Sequence, residues 1–148
     1  MSTVVLIGCF ADTDLLKASA LRIPLYLERV SAGFPSPAQD YVEQTLDLNQ
    51  LCISHPAATF FVRVQGDSMR DAGIAPNDVL VVDRSLEARH GDIIIASING
   101  EMTVKELNTT PHPCLMPRNP AYPVMLITEA SDFEIFGVVT NIVRQMRR

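Results

Sequence analysis

Short apolar runs rich in β-branched residues recur from Thr59 onward: Phe60-Phe61-Val62-Arg63-Val64, Val79-Leu80-Val81-Val82, Ile93-Ile94-Ile95-Ala96-Ser97-Ile98 and Met102-Thr103-Val104-Lys105. Their brevity and the turn residues between them predict strands rather than helices. Asn99-Gly100 separates the last two runs. A two-residue type I′ turn needs positive φ at both central positions, which Asn and Gly tolerate, so a tight antiparallel hairpin is expected there. Further strands are expected at residues 124–127 and 135–143, with Pro111, Pro113, Pro117, Pro120 and Pro123 marking irregular connections and edges. The coarse picture is a compact, mostly β body from about residue 40 to the C-terminus.

The pattern weakens upstream. Residues 1–32 carry balanced charge (Lys17, Arg22 and Arg29 against Asp12, Asp14 and Glu28) and few element signals, so a loosely held arm is expected, too short for a helical DNA-binding unit with its own core. Ser31-Ala32-Gly33-Phe34-Pro35-Ser36-Pro37 favours extended, exposed backbone and reads as a linker. Ser36 can cap a short helix with Pro37 at its first position and Gln39 three residues on, while Leu46, Leu48 and the stretch after them can equally pair as a strand.

Composition narrows the function classes. The chain has 148 residues, 47% of them hydrophobic, enough to bury a core in one domain. Its formal net charge is −5, with basic residues clustered only at Arg144, Arg147 and Arg148, which argues against strong direct binding to duplex DNA. Cys9, Cys52 and Cys114 are odd in number and widely spaced, which suits a reducing compartment without a disulfide framework. His55, His90 and His112 fit no metal motif and are expected to be surface or structural residues. Leu6-Ile7-Gly8-Cys9 faintly resembles a lipoprotein processing site, but no basic residue precedes it and the apolar run is broken by Gly8. With no apolar run near the roughly 18 residues of a membrane span, a soluble cytoplasmic protein is expected.

One position invites chemistry. Ser68 lies in the turn Gly66-Asp67-Ser68-Met69 directly after a predicted strand, exposed yet held by the sheet, and Gly66 lets a second backbone come close. It reads either as a nucleophile or as an ordinary polar turn residue. A nucleophilic serine needs a base, and no histidine sits in a motif with an acidic partner. Of the two lysines, Lys17 falls in the arm and Lys105 in the folded body, on the strand after the Asn-Gly turn. Lysine, unlike arginine, can give up its proton, provided desolvation lowers its pKa from about 10.4. Met102, Val104 and Leu107 are candidates for that apolar setting. The other reading of Lys105 is a charge guarding an edge strand.

Gly66-Asp67-Ser68-Met69, Gly73-Ile74, Asp78-Val79-Leu80-Val81-Val82-Asp83, His90-Gly91-Asp92-Ile93 and Glu101-Met102-Thr103-Val104-Lys105, in this order, resemble the self-cleaving Ser-Lys peptidases of the LexA and UmuD type. The resemblance runs from Ala32-Gly33 to Val143, with 37 residues from serine to lysine. Gly33-Phe34-Pro35-Ser36-Pro37-Ala38 with Asp40-Tyr41-Val42-Glu43-Gln44 looks like the UmuD branch, which includes MucA and RumA.

The resemblance implies a mostly β, LexA/signal-peptidase-like catalytic fold with a flexible N-terminal arm. It implies Ser68 as nucleophile, Lys105 as general base, backbone N–H groups of Ser68 and Met69 for the oxyanion, and no metal or cofactor. The cut would fall at Ala32-Gly33, removing residues 1–32 from a peptidase-like β domain 33–148 that opens with a linker over about 33–40. The small Ala32 side chain suits a shallow pocket, Gly33 leaves the attacked carbonyl uncrowded, and the linker can lie extended along a sheet edge. By the same resemblance, a RecA filament on single-stranded DNA stimulates the cut. The shortened form becomes a homodimeric accessory subunit of a UmuC-like, Y-family translesion polymerase of the polymerase V type. A non-catalytic interaction module on the peptidase fold is the alternative of a different class, and a leader peptidase is disfavoured by the lack of an apolar anchor.

Overall fold

The computed structural model describes residues 3–9, 23–26 and 42–147. The chain divides into two units, residues 1–11 with 55–148, and residues 12–54. The first unit begins with β1 (Thr3–Cys9). In the second, β2 (Ile23–Tyr26) pairs antiparallel with β3 (Val42–Leu46), and α1 (Leu48–Cys52) follows. Asp47 ends the strand and starts the helix, its Oδ1 accepting the Asn49 N–H at 2.9 Å. The strand expected over Leu46, Leu48 and the stretch after them is therefore overturned beyond Leu46: the strand lies upstream, over Val42–Leu46, and the Asp47 cap turns Leu48–Cys52 into a short helix. The predicted helix start at Ser36 and Pro37, most of the arm with Lys17, the linker and Ala32-Gly33 lie outside the described residues.

The first unit resumes with β4 (Thr59–Gln65), β5 (Val79–Asp83), β6 (Ile93–Ile98), β7 (Glu101–Asn108), β8 (Cys114–Met116), β9 (Met125–Leu126) and β10 (Phe133–Val143). Every strand expected from the sequence is present, although the one expected at 124–127 shortens to two residues. With β1 they form one antiparallel eight-stranded sheet in the order β1-β4-β5-β10-β6-β7-β8-β9. The strand at Thr3–Cys9 was not among the predicted elements; it pairs with β4 from Thr3↔Gln65 to Cys9↔Phe60. β1 also comes against β7, far from it in the strand order, so the sheet curls.

Strand alternation sorts the apolar side chains into two clusters. Val62 and Val64 of β4, Leu80 and Val82 of β5, Ile95 of β6 and Val104 of β7 gather with Met69 and Ile74. Ile94, Ala96 and Ile98 of β6, Leu107, Leu115 and Val138 form the other. Central strands buried on both faces explain why Val79-Leu80-Val81-Val82 and Ile93-Ile94-Ile95-Ala96 read as continuous apolar runs instead of alternating ones. β10 changes partner along its length, pairing with β6 over Phe133 to Val138 and with β5 over Val138 to Val143. At that switch Gly137 lets the strands close in: a Cβ there would stand 2.7 Å from Val82 Cγ1 and 3.0 Å from Asp83 O.

Candidate active site

Gly66 releases the chain from β4 with φ +82°, a conformation costly for a residue with a Cβ. The turn that follows is anchored from within by Met69, 1% exposed in the core. It then enters a 3₁₀ turn, Arg70–Ala72, that ends at Gly73 with φ +83°. A second segment holds it from outside. Arg118 N donates to Ser68 O at 2.8 Å, Asp71 N donates to Arg118 O at 2.7 Å, and Asn119 Nδ2 donates to Asp67 O at 3.0 Å. The Tyr122 hydroxyl donates to Asp67 Oδ1 at 2.6 Å. Ser68 therefore sits on a rigid turn, as its position after a strand suggested. It is fully buried, however, where exposure was expected.

Lys105 reaches this turn from β7. The Asn99-Gly100 hairpin forms as predicted, with φ +52° and +83°, and sets the register that pairs Thr103 with Ala96 and Lys105 with Ile94. Lys105 is 1% exposed. Its Nζ lies 2.9 Å from Ser68 Oγ, 2.7 Å from Thr103 Oγ1 and 3.1 Å from Val104 O. Burial pushes the ammonium down from 10.5 to about 8, with Glu101 opposing the shift. Burial excludes the edge-strand reading of this lysine, since β7 is an interior strand between β6 and β8.

The apolar setting differs from the one expected. By alternation Met102 and Val104 point to the opposite face of β7, toward the cluster containing Val62 and Ile95. Of the three expected residues only Leu107 shares the face of Lys105, and the residue directly across is the fully buried Ile94.

Thr103, Arg118, Asn119 and Tyr122 were not singled out in the sequence. Thr103 carries a signal, because position i−2 on a strand shares a face with the lysine. Arg118 and Asn119 carry none: they lie 50 and 51 residues from the serine, between prolines that read only as loop.

The other polar candidates settle into structural pairs. His55 Nδ1 lies 2.6 Å from Asp83 Oδ2, and His90 Nδ1 accepts the Thr109 N–H at 2.9 Å. Cys114 is buried and Cys52 half-buried, and no disulfide joins the two. Among the described residues no group of His, Cys, Asp and Glu is arranged to hold a metal, and no helix is long and apolar enough to cross a membrane. A cleft of about 710 Å³ lined by Phe61, Pro76, Val79 and Val143 with Arg63, Arg144 and Arg147 includes neither Ser68 nor Lys105. Of the polar candidates from the sequence, Ser68 and Lys105 are the pair whose side chains meet out of water.

Residues 24–140, which contain that pair, match the family described as Peptidase S24-like. The Protein MucA of Salmonella typhimurium is 56% identical over 120 residues, covering 80% of this chain and 82% of that protein. The Protein SamA of Salmonella typhimurium (strain LT2) is 52% identical over 124 residues, 84% of this chain and 86% of that protein. A LexA repressor from Paracidovorax citrulli is 39% identical over 127 residues, which span 85% of this chain but 56% of the repressor. The family match over most of the chain, and the identity to relatives of nearly its own length, mean that the protein belongs to the S24-like peptidases, as a UmuD-like SOS mutagenesis protein.

Proposed function

We propose that this protein is a self-cleaving Ser-Lys peptidase that cuts its own chain between Ala32 and Gly33. The observation that carries the reading is the 2.9 Å contact between Lys105 Nζ and Ser68 Oγ, both buried. A neutral amine has two hydrogens and one lone pair. Thr103 Oγ1 and Val104 O stand where they accept the two hydrogens, which leaves the lone pair for the Ser68 hydroxyl. With its pKa near 8, a usable fraction of Lys105 is in this form at neutral pH.

In that reaction the Ser68 proton passes to Lys105 Nζ as Oγ bonds to the Ala32 carbonyl carbon. Charge collects on the carbonyl oxygen, where the N–H groups of Ser68 and Met69 receive it. The Ala32–Gly33 C–N bond then breaks, Lys105 returns the proton to the Gly33 nitrogen, and water releases the acyl group from Ser68. Substrate and nucleophile share one chain or one dimer, so the effective concentration is high and docking of the linker governs the rate.

In this reading a RecA filament on single-stranded DNA favours the docked state, in the cytoplasm of a cell under DNA damage. The shortened chain, residues 33–148, pairs with a second copy and joins a UmuC-like Y-family polymerase. Support for the pairing comes from β10. Ile142 and Val143 in its C-terminal part are exposed, as is Met146 just beyond it.

The test is the intact mass of the purified protein after incubation at neutral pH, at about pH 10 where lysines lose protons, and at neutral pH with RecA, ATP and single-stranded DNA. Fragments 1–32 and 33–148, absent in Ser68→Ala, are the expected result. A chain that stays whole in all three conditions would overturn the reading in favour of a non-catalytic interaction module.

A further inference from the structure

The segment that braces the serine turn does so through the turn's carbonyl oxygens. Asp67 O accepts from Asn119 Nδ2 at 3.0 Å and from Arg70 N at 3.2 Å, and Ser68 O accepts from Arg118 N at 2.8 Å. Each of these carbonyls is one end of a peptide unit. The other end of the Asp67 carbonyl's unit is the Ser68 N–H, and the other end of the Ser68 carbonyl's unit is the Met69 N–H. A trans peptide is planar, with C=O and N–H pointing in opposite directions. A bond that fixes where the oxygen points therefore fixes where the hydrogen points.

We infer that Asn119 is a positioning residue for the oxyanion site: its side-chain amide, with the Arg118 N–H beside it, aims the Ser68 and Met69 N–H groups by holding the carbonyls at the far ends of their peptide units. The inference rests on the reading of Ser68 as nucleophile and deepens it. Asn119 is itself held for the task. It is 5% exposed, its Oδ1 accepts the Ala121 N–H at 3.0 Å, and its backbone O accepts the Tyr122 N–H at 3.1 Å. Both hydrogen-bonding ends of its amide are thereby spoken for, so the side chain has one orientation in which to meet Asp67 O. The bond between Asp71 N and Arg118 O keeps this segment in register with the turn.

Preorganised donors work because they need no reorientation as charge develops, so a donor that must find its direction loses rate without loss of the base. Lys105 touches neither Arg118 nor Asn119 through any of its three hydrogen bonds. The signature of Asn119 is therefore a lower plateau in the pH–rate profile at an unchanged midpoint.

The test follows self-cleavage of the full chain from pH 6 to 11 by intact mass, in wild type, Asn119→Ala and Ser68→Ala, at a temperature well below each melting point. Asn119→Ala is expected to lower the plateau about 10- to 100-fold, the range in which small misplacements of reacting groups cost rate, with its midpoint where wild type has it. Should Asn119→Ala fail to fold, Asn119→Asp keeps an acceptor for Ala121 N, loses the donor to Asp67 O, and is judged by the same plateau. A folded variant whose plateau stays within about twofold of wild type overturns the inference, as does one that only moves the midpoint. Cleavage of Ser68→Ala at the wild-type rate instead removes the nucleophile reading itself, and the inference with it.

Discussion

Lys105 Nζ and Ser68 Oγ approach to 2.9 Å from chain positions 37 residues apart, inside a site where both side chains are out of water. In the proposed reaction, removing the serine should stop self-cleavage and removing the lysine should slow it sharply, neither unfolding the protein. Ser68→Ala is expected to show no fragments. Lys105→Met, which keeps the bulk of the buried stem, should cleave about 10²–10⁴-fold more slowly, the usual contribution of a general base. Fragment appearance by mass against time checks both.

In the proposed reaction the rate should rise with pH through a midpoint near 8 and level off above it, because only a neutral Lys105 amine can take up the serine proton. Glu101 opposes the downward shift by favouring the charged lysine. Glu101→Gln is therefore expected to move the midpoint below that of wild type and speed cleavage at neutral pH. A midpoint that stays in place would remove Glu101 from the balance.

Stability should carry the same titration. Between about 8 and 10.5 the unfolded chain binds the Lys105 proton and the folded chain does not, so stability rises with pH across that window and falls as pH drops through 8. Burying this lysine costs roughly 3 kcal/mol below the window, from about 1.4 kcal/mol per pKa unit. In an uncleavable Ser68→Ala background, adding Lys105→Met should raise the melting temperature at pH 7 and give little gain near pH 10.5. An equal gain at both pH values would contradict the assignment.

Arg144 reaches back from beyond β10 to hold Asp78 in a bidentate contact, Nε and Nη2 each 2.6 Å from a carboxylate oxygen, and Nη2 also donates to Gly73 O at 2.8 Å. This hydrogen-bonded guanidinium holds the Asp78 carboxyl below its ordinary range. Asp78 is 1% exposed. Arg144→Ala should therefore lower the melting temperature at neutral pH by leaving a buried carboxylate without its main partner. The wild-type advantage should be present above the ordinary carboxylate pKa of about 3.9 and fade as pH falls through the lowered one. Melts of the two proteins at pH 7 and pH 3 make the comparison.

At Gly137 the nearest atoms to an added Cβ include backbone of Asp83, which cannot swing aside. Gly137→Ala should destabilise by about 1–3 kcal/mol, the cost of overpacking a closed site. Chemical denaturation reads it directly, and a change under about 0.5 kcal/mol, typical of open surface positions, would show that the strands give way freely.

The strands from Phe60 to Val143 were legible because β-branched runs, a diagnostic Asn-Gly turn and proline breaks are local signals that need no tertiary information. The serine and lysine were legible as candidates for a chemical reason: a turn serine needs a base, and the folded body holds one lysine. β1 was not legible, since a seven-residue strand with an interior glycine gains its stability from the β4 ladder it joins. Nor was the real environment of Lys105, because which face of β7 meets which neighbour depends on the strand order and the curl of the sheet.

Sequence by itself determined the strands from Phe60 to Val143, the hairpin that sets the register of Lys105, and the pair of residues proposed for nucleophilic chemistry. Those follow from backbone preference and side-chain functional groups, which are properties of a few adjacent residues. Tertiary structure alone decided that Ser68 is buried, that Ile94 rather than Met102 stands across from the lysine, and that a loop about 50 residues away hydrogen-bonds the carbonyls of the serine turn. Desolvation and peptide orientation are set by what packs against a group, and those neighbours come from distant parts of the chain.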